Sequence, residues 1–453
     1  MSIKNPLANE SIISKVRKKS DRKQEAVTGT ITAELLGIND AMTVCAKACA
    51  CCWDRPIPEG YDNVAEYVAK RSRIGHTSVV EHSNFVMYLH VDKAYEEDLI
   101  SILDIMHYLY SKTIPDSTNT GWHVIIGGSY RGYCDLYRET DDLNNAVLKA
   151  IAGCLYIYAH SAAFEDICKL GLMDKMRFMN VEPDENHKLL NKLAQPYENE
   201  YFEILGIDDI KKLYTNLYVV SKEAAEKITT YDLIKFVTVS VMFKNMSRTC
   251  THQLVRHRNA ITQESQRYVD YSKACFNSPE IFKPEKYDKD HKYTVRFASS
   301  APMNLTLSEI GAAMCEIYGM LSNPVITGAN YALLKEDARA FLPSNVQCKK
   351  IYITFTYKSL LKFLNLREDK AAQAEIRTYA VALGNWIREN TEFGTKELCD
   401  LYTQPRLLIE DPFKIDIDEG IVEEQIELTP EDYIKAAGLD VEDNEEVTES
   451  KDE

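Results

Sequence analysis

Apolar positions recur with helical spacing from Ile31 to Ala50. The run breaks at Trp53-Asp-Arg-Pro-Ile-Pro-Glu-Gly60, where two prolines and a glycine cannot continue a helix. A second helix is predicted around Val64 to Ile74, with Gly75 suited to end it in the left-handed conformation. Phe85 to Val91 reads as a strand, Glu96 to Leu109 as a helix and Trp122 to Ile126 as a strand leading into Gly127-Gly128-Ser129-Tyr130-Arg131-Gly132. Amphipathic helices follow to about Tyr231. Residues 232 to 246 read as a strand, Met246 to Arg258 as a helix and Lys350 to Thr356 as a strand. Ser359 to Leu366 and Ala371 to Glu389 read as helices. No internal repeat of fixed period is evident. Strands and helices alternate without a steady βαβ rhythm, so the expected class is α/β or α+β, a mixed sheet flanked by helices.

Composition narrows this. The 453 residues are 45% hydrophobic and 27% charged, values of a soluble globular protein of one or two domains. No apolar run is long enough to span a bilayer, and the N-terminus lacks a secretory pattern. Twelve cysteines without a secretion signal are expected to be reduced thiols in the cytoplasm. Residues 1–30 read as a flexible basic arm and residues 409–453 as an acidic tail. The net charge of -16 argues against nucleic-acid coating, though not against a small anion in a local basic pocket.

Such a pocket has a candidate. Arg248-Thr-Cys-Thr-His-Gln253-Leu-Val-Arg256-His257-Arg258 is followed by Gln263-Glu264-Ser265-Gln266-Arg267-Tyr268. Gln253 and His257 lie one helical turn apart, while Arg256 and Arg258 point elsewhere. A hydroxyl at Ser265 beside the guanidinium of Arg267 suits a phosphate. The competing account is a solvated basic face with surface ion pairs.

Gly75-His76-Thr-Ser78-Val-Val-Glu-His82 is a second segment, for which capping and core packing compete with a metal reading that lacks a third ligand. Arg339 follows Glu336-Asp337, which a helix-surface ion pair would explain, and Arg367 closes an apolar helix, where a cation is favourable. Cys45, Cys49, Cys51 and Cys52 fit buried thiols on a helix better than a metal site. No phosphate-binding P-loop or dinucleotide glycine fingerprint occurs.

Four segments in this order, Gly75 to His82, Gln253 to Tyr268, Ala338 to Pro343 and Phe363 to Arg377, resemble the flavin-dependent thymidylate synthases. The resemblance covers roughly residues 31–92 and 233–408 and makes residues 93–232 a mainly helical insertion. It implies conversion of dUMP to dTMP with methylenetetrahydrofolate, FAD and NADPH, in a homotetramer whose sites draw on more than one subunit. It places His76, Ser78, Arg256, His257, Arg258, Gln263, Lys358 and Lys362 at the flavin. Gln253, Arg256, Glu264, Ser265, Arg267, Arg339 and Arg367 fall at the nucleotide, with Arg367 and Ser265 in the catalytic positions.

The chain departs from the family pattern in three ways. Six residues, where the family has seven, separate Arg258 from Ser265. Thr356-Tyr357-Lys358-Ser359 stands for Asn-x-Arg-Ser, and Lys362 stands where an Asn is usual. Arg131 is a substitute cation for the flavin pocket, or else part of a structural turn. Alternatives to thymidylate synthesis are a related flavin- and folate-dependent pyrimidine modification, such as hydroxymethylation, and a non-catalytic nucleotide binder.

Overall fold

The protein is seen here in a computed structural model, which describes residues 29–391 except 40, 74–75, 143, 159–188, 194–195, 274–289 and 297–299. The basic arm up to residue 28, Gly75 and the acidic tail lie outside the described residues.

Two antiparallel sheets organise the chain. The first has the order β1-β2-β4-β3, from β1 (Ile31–Ile38), β2 (Phe85–Asp92), β3 (Tyr110–Pro115) and β4 (Gly121–Gly128). The second has the order β5-β6-β7-β11-β8, from β5 (Tyr197–Glu198), β6 (Phe202–Ile207), β7 (Thr238–Ser247), β8 (Ala260–Gln263) and β11 (Gln347–Thr356). A small hairpin, β9 (Tyr293–Val295) with β10 (Met303–Leu305), stands apart.

Around the first sheet lie α1 (Ala41–Trp53), α2 (Tyr61–Arg73), α3 (Glu96–Asp104), α4 (Tyr130–Glu139) and α5 (Ala146–Tyr158). The chain continues through α6 (Ile210–Val220), α7 (Lys222–Lys227), α8 (Thr230–Leu233), α9 (Arg248–Leu254) and α10 (Leu307–Leu321). It ends with α11 (Pro324–Thr327), α12 (Lys335–Ala338), α13 (Tyr357–Arg367) and α14 (Ala374–Asn390).

Three expectations change. Residues 31–38 form a strand and the helix begins only at Ala41. Leu35 to Ile38 are all buried, and an apolar run covered on both faces carries no period that separates strand from helix. The strand foreseen over 232–246 begins at Thr238, because Thr229 and Asp232 form a capping box that opens one short helix first. Residues 93–232 do supply several helices, but their strands β3, β4, β5 and β6 are built into both sheets.

One pair of segments is alike without forming a repeat of fixed period. Glu34-Leu-Leu-Gly-Ile-Asn-Asp40 and Glu203-Ile-Leu-Gly-Ile-Asp-Asp209 are near copies. Both contribute the first strand of the common order in their sheets. A single distant copy gives no periodicity, so a search for a fixed period passes over it.

The main core joins α1 to both sheets. Cys45, Cys49 and Cys51 are buried with Leu35, Met87, Met242 and Tyr352. Burial pushes the Cys49 thiol up to about 12, so it behaves as a small apolar side chain.

Candidate functional site

The site residues gather at the two ends of the β8–β11 pair. Ala260 opposes Thr354 and Gln263 opposes Ile351. From Lys350 to Thr356 the strand runs six residue steps, roughly 20 Å at about 3.4 Å each.

α9 starts at the Gln347 end of β11, where Ser247 opposes Gln347 and caps the helix by accepting the Cys250 N–H at 3.0 Å, and it leads the chain back toward the Thr356 end. Ser247 is itself fixed by buried Glu375, whose carboxylate accepts its N–H at 2.7 Å and its hydroxyl at 2.5 Å. The helix then tightens into a 3-10 turn over Val255–His257, and Arg258 sits at φ 54°, in the left-handed region. A non-glycine residue there is strained by on the order of 1–3 kcal/mol. The strain turns the chain so that Arg256 and Arg258 stand exposed on either side of half-buried His257.

Arg367, at the end of α13, donates its Nε–H to His257 Nε2 at 3.0 Å. That bond requires the His257 tautomer protonated at Nδ1. Burial, then Arg367 and Lys362, lowers the imidazole to about 4, so it is neutral at pH 7. Phe363 packs edge-on against the ring at 5.1 Å. Ser359 donates to Asn259 Oδ1 at 2.6 Å, tying α13 to the start of β8. Among the described residues, no side chain pairs with Arg256 or Arg258. The result is a neutral imidazole ringed by fixed cations, a donor set that fits a multiply charged phosphate group.

The Lys350 end holds a different set. The Ser265 N–H donates to the Cys52 carbonyl at 3.1 Å, and Ser265 Oγ accepts the Arg267 N–H at 3.2 Å. Arg267 Nε donates to the Glu336 carboxylate at 2.9 Å, and Arg339 Nε donates to the Glu336 carbonyl at 2.9 Å. Glu336 thus draws together the two arginines expected at a phosphate, in place of a simple pair with Arg339. Beside them, His76 lies 4.5 Å from Trp53 edge-on, and Trp53 stacks with Tyr268 at 5.9 Å. The Arg71 guanidinium covers the Trp53 ring at 4.6 Å. Ser78 follows on the 3-10 turn Thr77–His82, partly buried.

Several predicted residues point elsewhere. Glu264 is 1% exposed, and its carboxylate accepts the Lys349 N–H at 3.2 Å. Burial raises its pKa above the usual carboxylate range. Gln263 accepts from Arg248, and Gln253 donates to Gln373. Lys358 lies 5.1 Å over the Tyr231 ring, and exposed Lys362 stands near His257. Arg131 reaches Glu81 of the His76 segment at 2.6 Å.

His82 and His76 do not converge. His82 is fully buried, with Nδ1 3.0 Å from Thr354 Oγ1 and Nε2 3.0 Å from Thr262 Oγ1. It pins its segment onto β8 and β11. Sequence reasoning missed Trp53, Arg71, Asn259 and Gln373. Only Trp53, a rare residue at the end of a helix, gave a local signal.

The family described as Thymidylate synthase complementing protein matches residues 211–391. A flavin-dependent thymidylate synthase of Pyrococcus abyssi is 31% identical over 186 residues, 41% of this chain and 65% of the relative. The chain therefore spans just under two thirds of that relative's length. The Thermococcus onnurineus enzyme of the same name is 30% identical over 203 residues, 43% of this chain and 69% of its own. A Helicobacter pylori thymidylate synthase X solved with FAD and dUMP aligns at 12% identity, covering 43% of this chain and 97% of its own, with a TM-score of 0.30. With an arginine–histidine cluster at one end of β8, a serine–arginine turn at the other, and relatives that share this stretch, the chain belongs to the family of flavin-dependent thymidylate synthases.

Proposed function

We propose that the protein methylates dUMP reductively to dTMP, taking the one-carbon group from methylenetetrahydrofolate and the reducing equivalents from NADPH through FAD. The observation that carries this is Arg367 held against neutral His257 between Arg256 and Arg258. Bound FAD supplies the redox chemistry. Arg256, His257 and Arg258 hold its phosphates, with Lys362 adding charge, and His76 with Ser78 borders the ring system. Ser265, Arg267 and Arg339 take the nucleotide phosphate. Arg367 stabilises negative charge developing on the uracil as C5 becomes nucleophilic. Gln253 and Gln263 orient neighbouring side chains, and buried Glu264 anchors the loop that carries Ser265.

Because the two groups stand at opposite ends of β11, we place the complete site where one copy's Thr356 end meets another's Lys350 end. The resemblance implies an assembly of four fold units for that purpose, a homotetramer where each chain carries one unit. The reading puts the enzyme in the cytoplasm, a compartment that suits its buried thiols. Tritium release from C5-labelled dUMP, with NADPH and methylenetetrahydrofolate, tests it. Release with dTMP as product supports thymidylate synthesis. A hydroxymethylated product supports the related modification, and colourless protein that binds dUMP without release supports a non-catalytic binder.

A further inference from the structure

The two sheets repeat one chain path. By strand order β1 corresponds to β6, β2 to β7, β3 to β8 and β4 to β11. Each first strand bulges at the same place, between Leu35 and Gly37 and between Ile204 and Gly206. Each is followed by a polar residue that clasps the start of the second strand. Asn39 donates its N–H to the Asn84 carbonyl at 3.1 Å, and its Oδ1 accepts the Asn84 N–H at 2.9 Å. Asp208 does the same with Thr238, at 2.9 Å and 2.8 Å. The fourth strand of each runs into a capped helix. Ser129 Oγ accepts the Gly132 N–H at 3.1 Å, and Thr356 Oγ1 accepts the Ser359 N–H at 3.2 Å. A tyrosine, Tyr130 or Tyr357, follows each cap. The two clasps meet: Asn84 Nδ2 donates to Asp208 Oδ2 at 3.4 Å.

The copies differ at the chemistry. Tyr110 opposes Gly127 where Ala260 opposes Thr354, so Arg256-His257-Arg258 falls opposite Met106-His107-Tyr108. The histidine persists and both guanidinia are gone. Arg367 donates to His257, whereas His107 faces the carboxylate of Glu139 at 3.9 Å. Residues 116–120 close the first unit's third and fourth strands directly. The second unit uses residues 264–346, which bring Ser265, Arg267 and Arg339. The converse loss is in the second unit. Counting back from Thr238, the counterpart of Asn84, its equivalents of His76 and Ser78 are Thr230 and Asp232. Asp232 is paired to Lys112 at 2.9 Å and Lys235 at 3.3 Å.

We infer that the chain is a tandem pair of one fold unit in which only the second unit keeps the anion site and only the first keeps the histidine segment, so that two chains supply the four units of the assembly. The counts of chains and of nucleotide sites rest on the function and assembly proposed above; the pairing of units within the chain does not.

Sedimentation equilibrium and equilibrium dialysis with labelled dUMP, on the full chain, test both. The expected result is a two-chain particle with one dUMP per chain. His107→Ala leaves the FAD Kd within about twofold, and His257→Ala weakens it at least tenfold. Two dUMP per chain, a four-chain particle, or equal loss in the two histidine variants overturns the inference. A two-chain particle that binds no dUMP refutes the proposed function while supporting the pairing of units.

Discussion

His82→Gln gives the sharpest test of how the histidine segment is held. The imidazole is fully buried between Thr354 and Thr262, with Tyr352 4.4 Å away. Burial lowers its pKa from 6.5 to about 3. The unfolded chain therefore takes up this proton first as pH falls. The stability that the neutral imidazole contributes is complete above about pH 6.5 and is lost progressively from there toward pH 3. At about 1.4 kcal/mol per unit, the whole interval is on the order of 5 kcal/mol, of which roughly 2 kcal/mol is lost between pH 6.5 and pH 5.

Other groups titrate in the same range. His257, at about 4, adds a loss of the same sign. Asp208, raised by burial to about 6, acts oppositely, because a carboxyl with a raised folded pKa loses stability as pH rises through that interval. The informative quantity is thus the difference between parent and variant. Urea unfolding at pH 7.5 and pH 5, at fixed protein concentration, should show the parent losing roughly 2 kcal/mol more than His82→Gln. Identical losses in the two proteins would refute the claim that His82 is buried neutral.

Arg367→Ala should lower turnover far more than flavin retention. In an NMR titration it should move the His257 pKa up from about 4, yet leave it below 6.5, since burial is the larger cause; loss of flavin with normal turnover of the reloaded protein would reverse the role given to Arg367. Arg267→Ala should weaken dUMP binding by about 1.5–3 kcal/mol, the range for a lost charged hydrogen bond, and isothermal titration showing unchanged affinity would remove it from the phosphate site. Glu375→Ala leaves the Ser247 N–H and hydroxyl without their buried acceptor. It should destabilise the fold by about 3 kcal/mol or more in thermal unfolding, and Glu375→Gln by less.

Much of the fold was legible locally. β2 and β4 showed as apolar runs, β11 by its alternating faces, and α13 and α14 by their spacing. The Arg256-His257-Arg258 run was visible because a dense set of cations in an acidic chain stands out. What failed did so for physical reasons. The second half of β1, Leu35 to Ile38, is buried on both faces and so has no diagnostic period. Glu264 sits between site residues in the sequence, but it follows β8 directly and keeps the strand's alternation, so it is buried like Thr262 while Gln263 and Ser265 stay partly exposed. Arg339 had acids close by in sequence, yet its side chain found the Glu336 carbonyl, leaving that carboxylate to Arg267.

The amino-acid sequence by itself determined which side chains can bind an anionic nucleotide, since Arg, Ser and His carry their chemistry wherever they are placed. Tertiary structure decided which of them meet. Pairing of β8 with β11 sends Arg256, His257 and Arg258 to one end of β8 and Ser265 and Arg267 to the other, and the path of α13 brings Arg367 to His257, with no local trace in composition. It also revealed the doubled architecture. Backbone hydrogen bonds and a shared bulge outlast the side-chain identities that would have announced a second copy.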